Sequence, residues 1–229
     1  MSERRLRSFV RREGRLTPGQ QRALETLWEH YGVDPPAGLL DLDALFGRQA
    51  PHILEIGFGN GESLAAMAQA QADMDYLGIE VHRPGAGHLL MLLARLGLTN
   101  VRVLCMDAVE VLERHLPGAC LDRIQIFFPD PWPKQRHHKR RLIQPTLVAL
   151  LAHKLKPGAC LHLATDWEHY ARHMLAVLEA AGDFVNAMEG GGFAPRPPYR
   201  PLTKFEQRGE HLGHRVWELI FTRSHCCHQ

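Results

Sequence analysis

Between residues 52 and 166 the chain alternates short apolar runs with longer stretches whose apolar positions recur every three or four residues. Short apolar runs bounded by turn residues mark buried strands, and the longer spacing marks helices with one apolar face. The pattern predicts strands at HILEIGF (52–58), DYLGIEV (75–81), VRVLCMD (101–107), DRIQIFFPD (122–130) and ACLHLATD (159–166). Between them lie the helical stretches GESLAAMAQAQ, GAGHLLMLLARLG and AVEVLERHL, a helix opened by Pro145, and WEHYARHMLAVLEAAG. Two late strands, FVNAMEG and RVWELIFTR, close the series. Ahead of it, TPGQQRALETLWEHYG reads as one helix, with Thr17 as N-cap, Pro18 in the first helical position and Gly32 as the stop. VDPPAGLLDLDALFGRQAP, with its paired prolines, reads as a linker.

Strand–helix alternation builds an α/β fold, a largely parallel sheet covered by helices on both faces. Ligands of such sheets bind beyond the carboxyl ends of the strands. The first five strands each bring an acid towards that end: Glu55, Glu80, Asp107, Asp130 and Asp166. Chance would scatter acids over both edges, so this edge is the expected site.

EIGFGNG (55–61) is a glycine loop between a strand and a helix, with Gly57, Gly59 and Gly61 in a G-x-G-x-G spacing. It departs from the G-x-G-x-x-G spacing of dinucleotide sites, and a carboxylate at Glu55 would repel a pyrophosphate. Glu55 suits a ligand with a positive amino group, such as the methionine end of S-adenosylmethionine. Glu80 is placed to accept from two ribose hydroxyls. Asp107 can accept from an adenine amino group, with the Ala108 backbone N–H beside it. A glycine loop alone is weak evidence, since some such loops are only turns; its register with the acids selects an adenosyl cofactor.

Charge sharpens this picture. The chain has 229 residues and a net charge of +2, but the charge is uneven. Arg4, Arg5, Arg7, Arg11, Arg12 and Arg15 stand against Glu13 alone, and Lys134, Arg136, Lys139, Arg140 and Arg141 have no acid among them. Two such clusters are the footprint of a polyanion-binding surface, although either alone would pass as solvated surface. The basic start lacks an apolar signal core, which argues against secretion, and Glu3 and Glu13 weigh against a transit peptide. No uncharged apolar run approaches the roughly 20 residues needed to cross a bilayer. Cys105, Cys120, Cys160, Cys226 and Cys227 show no framework spacing, which suits reduced thiols in a cytoplasmic protein. HCCHQ at the end reads as a frayed tail, since vicinal cysteines fit poorly around one tetrahedral ion. No metal is expected.

FFPDPWPKQRHHKRR (127–141) joins the two themes: Asp130, boxed by Pro129 and Pro131, runs straight into the second basic cluster. Together with RSFVRREGRLTPGQQRALE, LEIGFGNGESL, GIEVHRPG, ATDWEHYARHML and RPLTKFEQRGEHLGHRVWEL, it resembles the bacterial tRNA (guanine-N7)-methyltransferases, within the class I methyltransferases. The resemblance runs over nearly the whole chain. It implies a Rossmann-like, mostly parallel seven-stranded sheet with an antiparallel last strand. It further implies a basic, flexible arm at 1–16, a single methyltransferase domain at 17–223, a tail at 224–229, and methylation of N7 of tRNA guanine 46 in the variable loop.

Guanine N7 is a bare lone pair, so its methylation requires no general base. The enzyme must align it for in-line attack and stabilise the positive charge that develops on the ring. Asp130 is the candidate catalytic acid, and the family also gives the matching acid a cofactor contact. By resemblance Lys134, Asp166 and the TKFE segment (Thr203, Lys204, Phe205, Glu206) bind substrate. The Pro-rich stretch before them reads as a loop capping the site. Glu206 has two readings, acceptor for the guanine N1–H and N2 amino donors or surface salt-bridge partner. Trp132 either stacks on the base or packs the loop. Arg136, His137, His138, Lys139, Arg140 and Arg141 are the expected RNA contacts, the adjacent histidines being poorly placed to share a metal.

Two rival readings stay open. PDPW resembles distantly the Asn-Pro-Pro-aromatic motif of enzymes that methylate amides and exocyclic amines, but an ionised Asp fits that role poorly. A non-catalytic RNA-binding module would not require Glu55, Glu80, Asp107 and Asp130. Monomer and homodimer are both compatible with the sequence.

Overall fold

The computed structural model describes residues 14–203, 206 and 215–225. Most of the N-terminal arginine arm, Lys204, Phe205 and the cysteine-bearing tail lie outside the described residues.

The expected first helix forms with its capping box: the Gln20 N–H donates to Thr17 Oγ1 at 3.3 Å, and Gln20 Oε1 accepts from the Thr17 N–H at 2.9 Å. It is two helices rather than one, α1 (Pro18–Thr26) and α2 (Trp28–Tyr31), ended by Gly32 as expected. The Thr26 hydroxyl donates to the Arg22 carbonyl one turn back at 2.9 Å, a contact that bends helices. The linker contains a further short helix, α3 (Leu42–Phe46), capped by Asp41.

The remaining elements follow the predicted order: β1 (His52–Ile56), α4 (Glu62–Ala70), β2 (Asp75–Ile79), α5 (Arg83–Leu96), β3 (Val101–Leu104), α6 (Ala108–Arg114), β4 (Leu121–Phe127), α7 (Pro145–Lys154), β5 (Leu155–Thr165), α8 (Glu168–Glu179), β6 (Phe184–Asn186) and β7 (Trp217–Arg223). A 3₁₀ turn, Gln135–Arg140, occupies the basic loop. The sheet runs β3-β2-β1-β4-β5-β7-β6, with β1 to β5 parallel and β7 antiparallel to both neighbours. The seven strands and the reversed last strand are therefore as expected.

The two faces of the sheet differ. One is apolar throughout: Leu54, Ile56, Leu77, Ile79, Ile124, Ile126, Leu161, Leu163 and Phe221 pack with residues of α6, α7 and α8. The other is apolar under α1, α4 and α5, where Ile53, Tyr76, Val101 and Val103 lie. Further across, the register places Glu55, Gln125 and His162 side by side on β1, β4 and β5. All three are buried. Buried polar groups are costly unless hydrogen-bonded, so this row has to be satisfied from above.

Candidate active site

The glycine loop explains its own spacing. Gly57, Gly59 and Gly61 have φ of 76°, 58° and 74°, alternate left-handed residues that turn the chain from β1 into α4. Phe58 between them is no free position: its ring is buried in the core beneath the loop. Gly59 donates its N–H to Glu80 Oε2 at 3.0 Å, and Glu80 Oε1 accepts from the Val81 and His82 N–H groups at 2.7 and 2.9 Å. Glu80 thus ties the glycine loop to the turn after β2 and keeps spare acceptor capacity on Oε2. Asp107 caps α6 through a 2.9 Å bond from the Val109 N–H to Oδ1 and retains Oδ2.

These groups rim a cleft of about 440 Å³ at the carboxyl edge of the sheet. Gly57, Glu80, Asp107, Ala108 and Asp130 line it, with Ile79, Met106, Val109 and Leu142 as apolar wall. Apolar walls with two acids of open acceptor capacity suit an adenosyl group: flat surface for the base, acceptors for hydroxyls and an amine.

Glu55 is placed otherwise than expected. It is 2% exposed, it does not line the cleft, and its Oε2 accepts from Gln125 Nε2 at 2.7 Å. Burial pushes its pKa up to about 7, against the smaller opposing pull of Gln125. A half-protonated carboxyl facing α4 is a poor counter-charge for an ammonium group, so the expected contact with the methionine end is not supported by this geometry.

Asp130 sits on a turn flanked by two residues in the left-handed region, Phe128 (φ 52°) and Trp132 (φ 44°). Such backbone is strained for bulky side chains and persists only when its surroundings enforce it. Here the Phe128 N–H donates to Ala164 O at 2.8 Å, and the Arg141 Nε–H donates to Pro131 O at 3.0 Å. The exposed acid projects at the lip of the cleft. Beyond it Lys134, Arg136 and Lys139 are exposed, in keeping with the expected RNA surface. Arg141 is a correction: it is 2% exposed, its Nη2 meets His169 Nδ1 at 3.0 Å, and its guanidinium lies 4.8 Å from the Tyr170 ring centre. Apolar packing absorbed this charge as a clamp on the turn, leaving it no route to a phosphate. His138 likewise turns its ring onto His169, 4.9 Å between centres, with Nε2 buried. Trp132 is engaged by its own loop, with Arg140 over its ring at 5.2 Å and His137 edge-on at 5.7 Å, which favours packing over base stacking.

Glu206 is the second correction. It is 2% exposed, and its oxygens accept from Arg200 Nη1 and Nη2 at 2.9 and 2.6 Å. Oε2 also accepts from the Thr203 N–H at 3.0 Å and the Thr203 hydroxyl at 2.9 Å. Burial alone would raise its pKa, but the Arg200 fork outweighs that and holds it below the usual range. With Oε2 fully engaged and Oε1 turned to Arg200, Glu206 faces inward in this structure rather than toward a base, and the Thr203 hydroxyl faces inward with it. Asp166 stands half-buried directly after β5, outside the residues that line the cleft, beside the exposed Trp167. Among the described residues no three His, Cys, Asp or Glu side chains gather as a metal site.

A family model described as "Putative methyltransferase" matches residues 49–219. The chain is 60% identical to the tRNA (guanine-N(7)-)-methyltransferase of Alkalilimnicola ehrlichii over 223 residues, 96% of this chain and 94% of that protein. It is 59% identical to the same-named protein of Halorhodospira halophila, covering 95% of each. The chain belongs to the tRNA (guanine-N(7)-)-methyltransferase family. Its fold is that of solved methyltransferases: the 16S rRNA methyltransferase KamB has a TM-score of 0.60 at 14% identity, covering 85% of this chain and 99% of that one. A SAM-dependent O-methyltransferase from Thermotoga maritima has a TM-score of 0.51 at 16% identity, covering 82% and 64%.

Two residues of this methyltransferase escaped the sequence reading. Gly85, in the first turn of α5, lets the helix press on the glycine loop; a Cβ there would lie 2.1 Å from the Gly59 carbonyl oxygen. A second glycine signal, GIEVHRPGAG, was visible, but nothing in it named the partner. Arg200 is 1% exposed and bonds Glu206 and Glu218 together. Its sequence neighbourhood, PPYRP, gives no hint of a buried ion pair.

Proposed function

We infer that the protein carries out the reaction its relatives are named for, transfer of a methyl group to N7 of a guanine in tRNA, with S-adenosylmethionine as donor. S-adenosylmethionine supplies an electrophilic methyl on a sulfonium. The chain's own contribution is placement. Glu80 and Asp107 would hold the adenosyl part through their open oxygens, and the Ile79–Met106–Val109–Leu142 wall shields it from water. Asp130 would face the guanine ring as it becomes cationic, its carboxylate stabilising that charge without removing a proton. Lys134, Arg136 and Lys139 would meet phosphates on either side, which gives affinity without reading sequence. Asp166 borders the same edge as a substrate contact. We place the target at guanine 46 of the variable loop and the protein in the cytoplasm, where thiols stay reduced.

The observation that carries this reading is Asp130 on a rigid turn between a cleft fitted to an adenosyl group and an exposed basic surface. Labelled methyl transfer to total tRNA, followed by nucleoside analysis and chain scission at the modified base, tests it. 7-Methylguanosine at position 46 is the expected product. N6-methyladenosine, or no transfer at all, would end the assignment.

A further inference from the structure

The segment between β6 and Thr203 crosses the polar row of the sheet, and Arg200 lies at the centre of the crossing. Its Nε–H donates to Glu218 Oε1 on β7 at 2.9 Å, and Nη2 reaches the same oxygen. Its other edge forks onto Glu206. Its guanidinium lies 5.5 and 5.8 Å from the ring centres of Phe127 and Phe128, the last residue of β4 and the left-handed residue two before Asp130. Glu218 is in turn bonded through Oε2 to His162 Nε2 at 2.7 Å, and His162 Nδ1 meets the Tyr199 hydroxyl at 2.9 Å.

We propose that Arg200 is a positioning residue of the methyl transfer, setting the Asp130 turn in a fixed register against Glu206 and Glu218. The proposal rests on the reading that Asp130 faces the target guanine. Its physical basis is the shape of the guanidinium. One planar group satisfies two carboxylates from two edges and presses its flat face to two phenyl rings. An ammonium is a point charge whose donors radiate from one atom, so lysine keeps the charge and loses the geometry. Within this buried cluster Arg200 bridges Glu206 and Glu218, and His162, disfavoured as a cation by burial, remains the neutral link. The ring contacts are what make the residue more than a staple. Phe128 holds strained backbone, so a shift of the guanidinium is passed directly to Asp130, and displacements of about 1 Å at a reacting centre cost about 100-fold in rate.

The test uses the full-length chain and the Arg200→Lys variant. Expected is a kcat lower by about 100-fold, with the Kd for S-adenosylmethionine and the KM for tRNA within about threefold of wild type. Should that variant fail to fold, Arg200→Met combined with Glu206→Gln removes one buried cation and one buried anion together; its melting temperature should exceed that of Arg200→Met alone while kcat stays low. A folded Arg200→Lys protein with kcat within about threefold of wild type overturns the proposal. So does a fall in kcat matched by an equal fall in the stoichiometry of S-adenosylmethionine binding, which reports only a smaller folded fraction. Wild-type protein that makes no 7-methylguanosine overturns the underlying assignment instead, independently of Arg200.

Discussion

The two flanks of the cleft are built by different means. On the β1–β2–β3 side most contacts come from turns and caps: alternate glycines shape the loop, Glu80 binds the turn that carries it and reaches across to Gly59, and Asp107 caps the helix that follows it. On the β4–β5–β7 side the turn carrying Asp130 is held by groups drawn from several parts of the chain. Arg141 clamps Pro131, Ala164 fixes Phe128, and Arg200 backs the rings before Asp130. On the proposed function, a cofactor common to many enzymes would be met largely by backbone geometry, whereas a particular base on a particular RNA would be met by a long-range polar network. The first flank should then tolerate change at a distance better than the second.

Substitution at the second flank should have the largest effect. Asp130→Asn should lower kcat by about 100- to 1000-fold while cofactor affinity falls far less; single-turnover kinetics beside equilibrium cofactor binding separate the two. Comparable losses in both would remove Asp130 from the role of charge stabiliser. The first flank breaks differently. Gly85→Ala should displace the Gly59 carbonyl, cost about 1–3 kcal/mol of stability and weaken cofactor binding with little effect on kcat at saturation, read by calorimetric titration. Unchanged affinity would show that α5 does not set the loop.

Smaller effects concern the rim and the sheet beneath it. Neutralising Lys134, Arg136 and Lys139 together should weaken tRNA binding and reduce the slope of log affinity against log salt by about one unit for each phosphate left without its cation. An unaltered slope would move the RNA surface elsewhere. Glu55 offers a pH test. Its folded pKa of about 7 stands above its usual 4.5, so the folded state holds a proton that the unfolded state releases first. Its penalty is absent below about pH 4.5, grows as pH rises, and is complete above about pH 7, about 3 kcal/mol in all. Glu55→Gln should therefore be more stable than wild type at pH 8 and no more stable at pH 4, with cofactor affinity nearly unchanged. A large loss of affinity would return Glu55 to the cofactor site.

Which parts were legible follows from the same contrast. Thr17, Pro18 and Gly32 announce the first helix, and G-x-G-x-G announces a turn, because caps and left-handed residues act within a few positions. The row of acids at one edge was visible because parallel strands share a direction. Whether each acid faces the cleft was not: Glu80, Asp107 and Asp130 do, whereas Glu55 points to α4, one residue before its strand ends. The basic run read as a surface because charge is normally solvated, and it mostly is, but Arg141 found Tyr170, His169 and a carbonyl to offset its burial. Glu206 read as a base recogniser because nothing local named Arg200 as its partner.

The sequence by itself determined the α/β order, the glycine loop, the edge where the chemistry lies and the family, since these rest on periodicity, backbone sterics and residue types at fixed spacing. Only the tertiary structure decided which acids open to the cleft, which cations remain free for RNA and what holds the Asp130 turn. Those outcomes depend on burial and on partners many residues apart, and the cost of an unpaired buried charge, which selects them, exists only once the chain has packed.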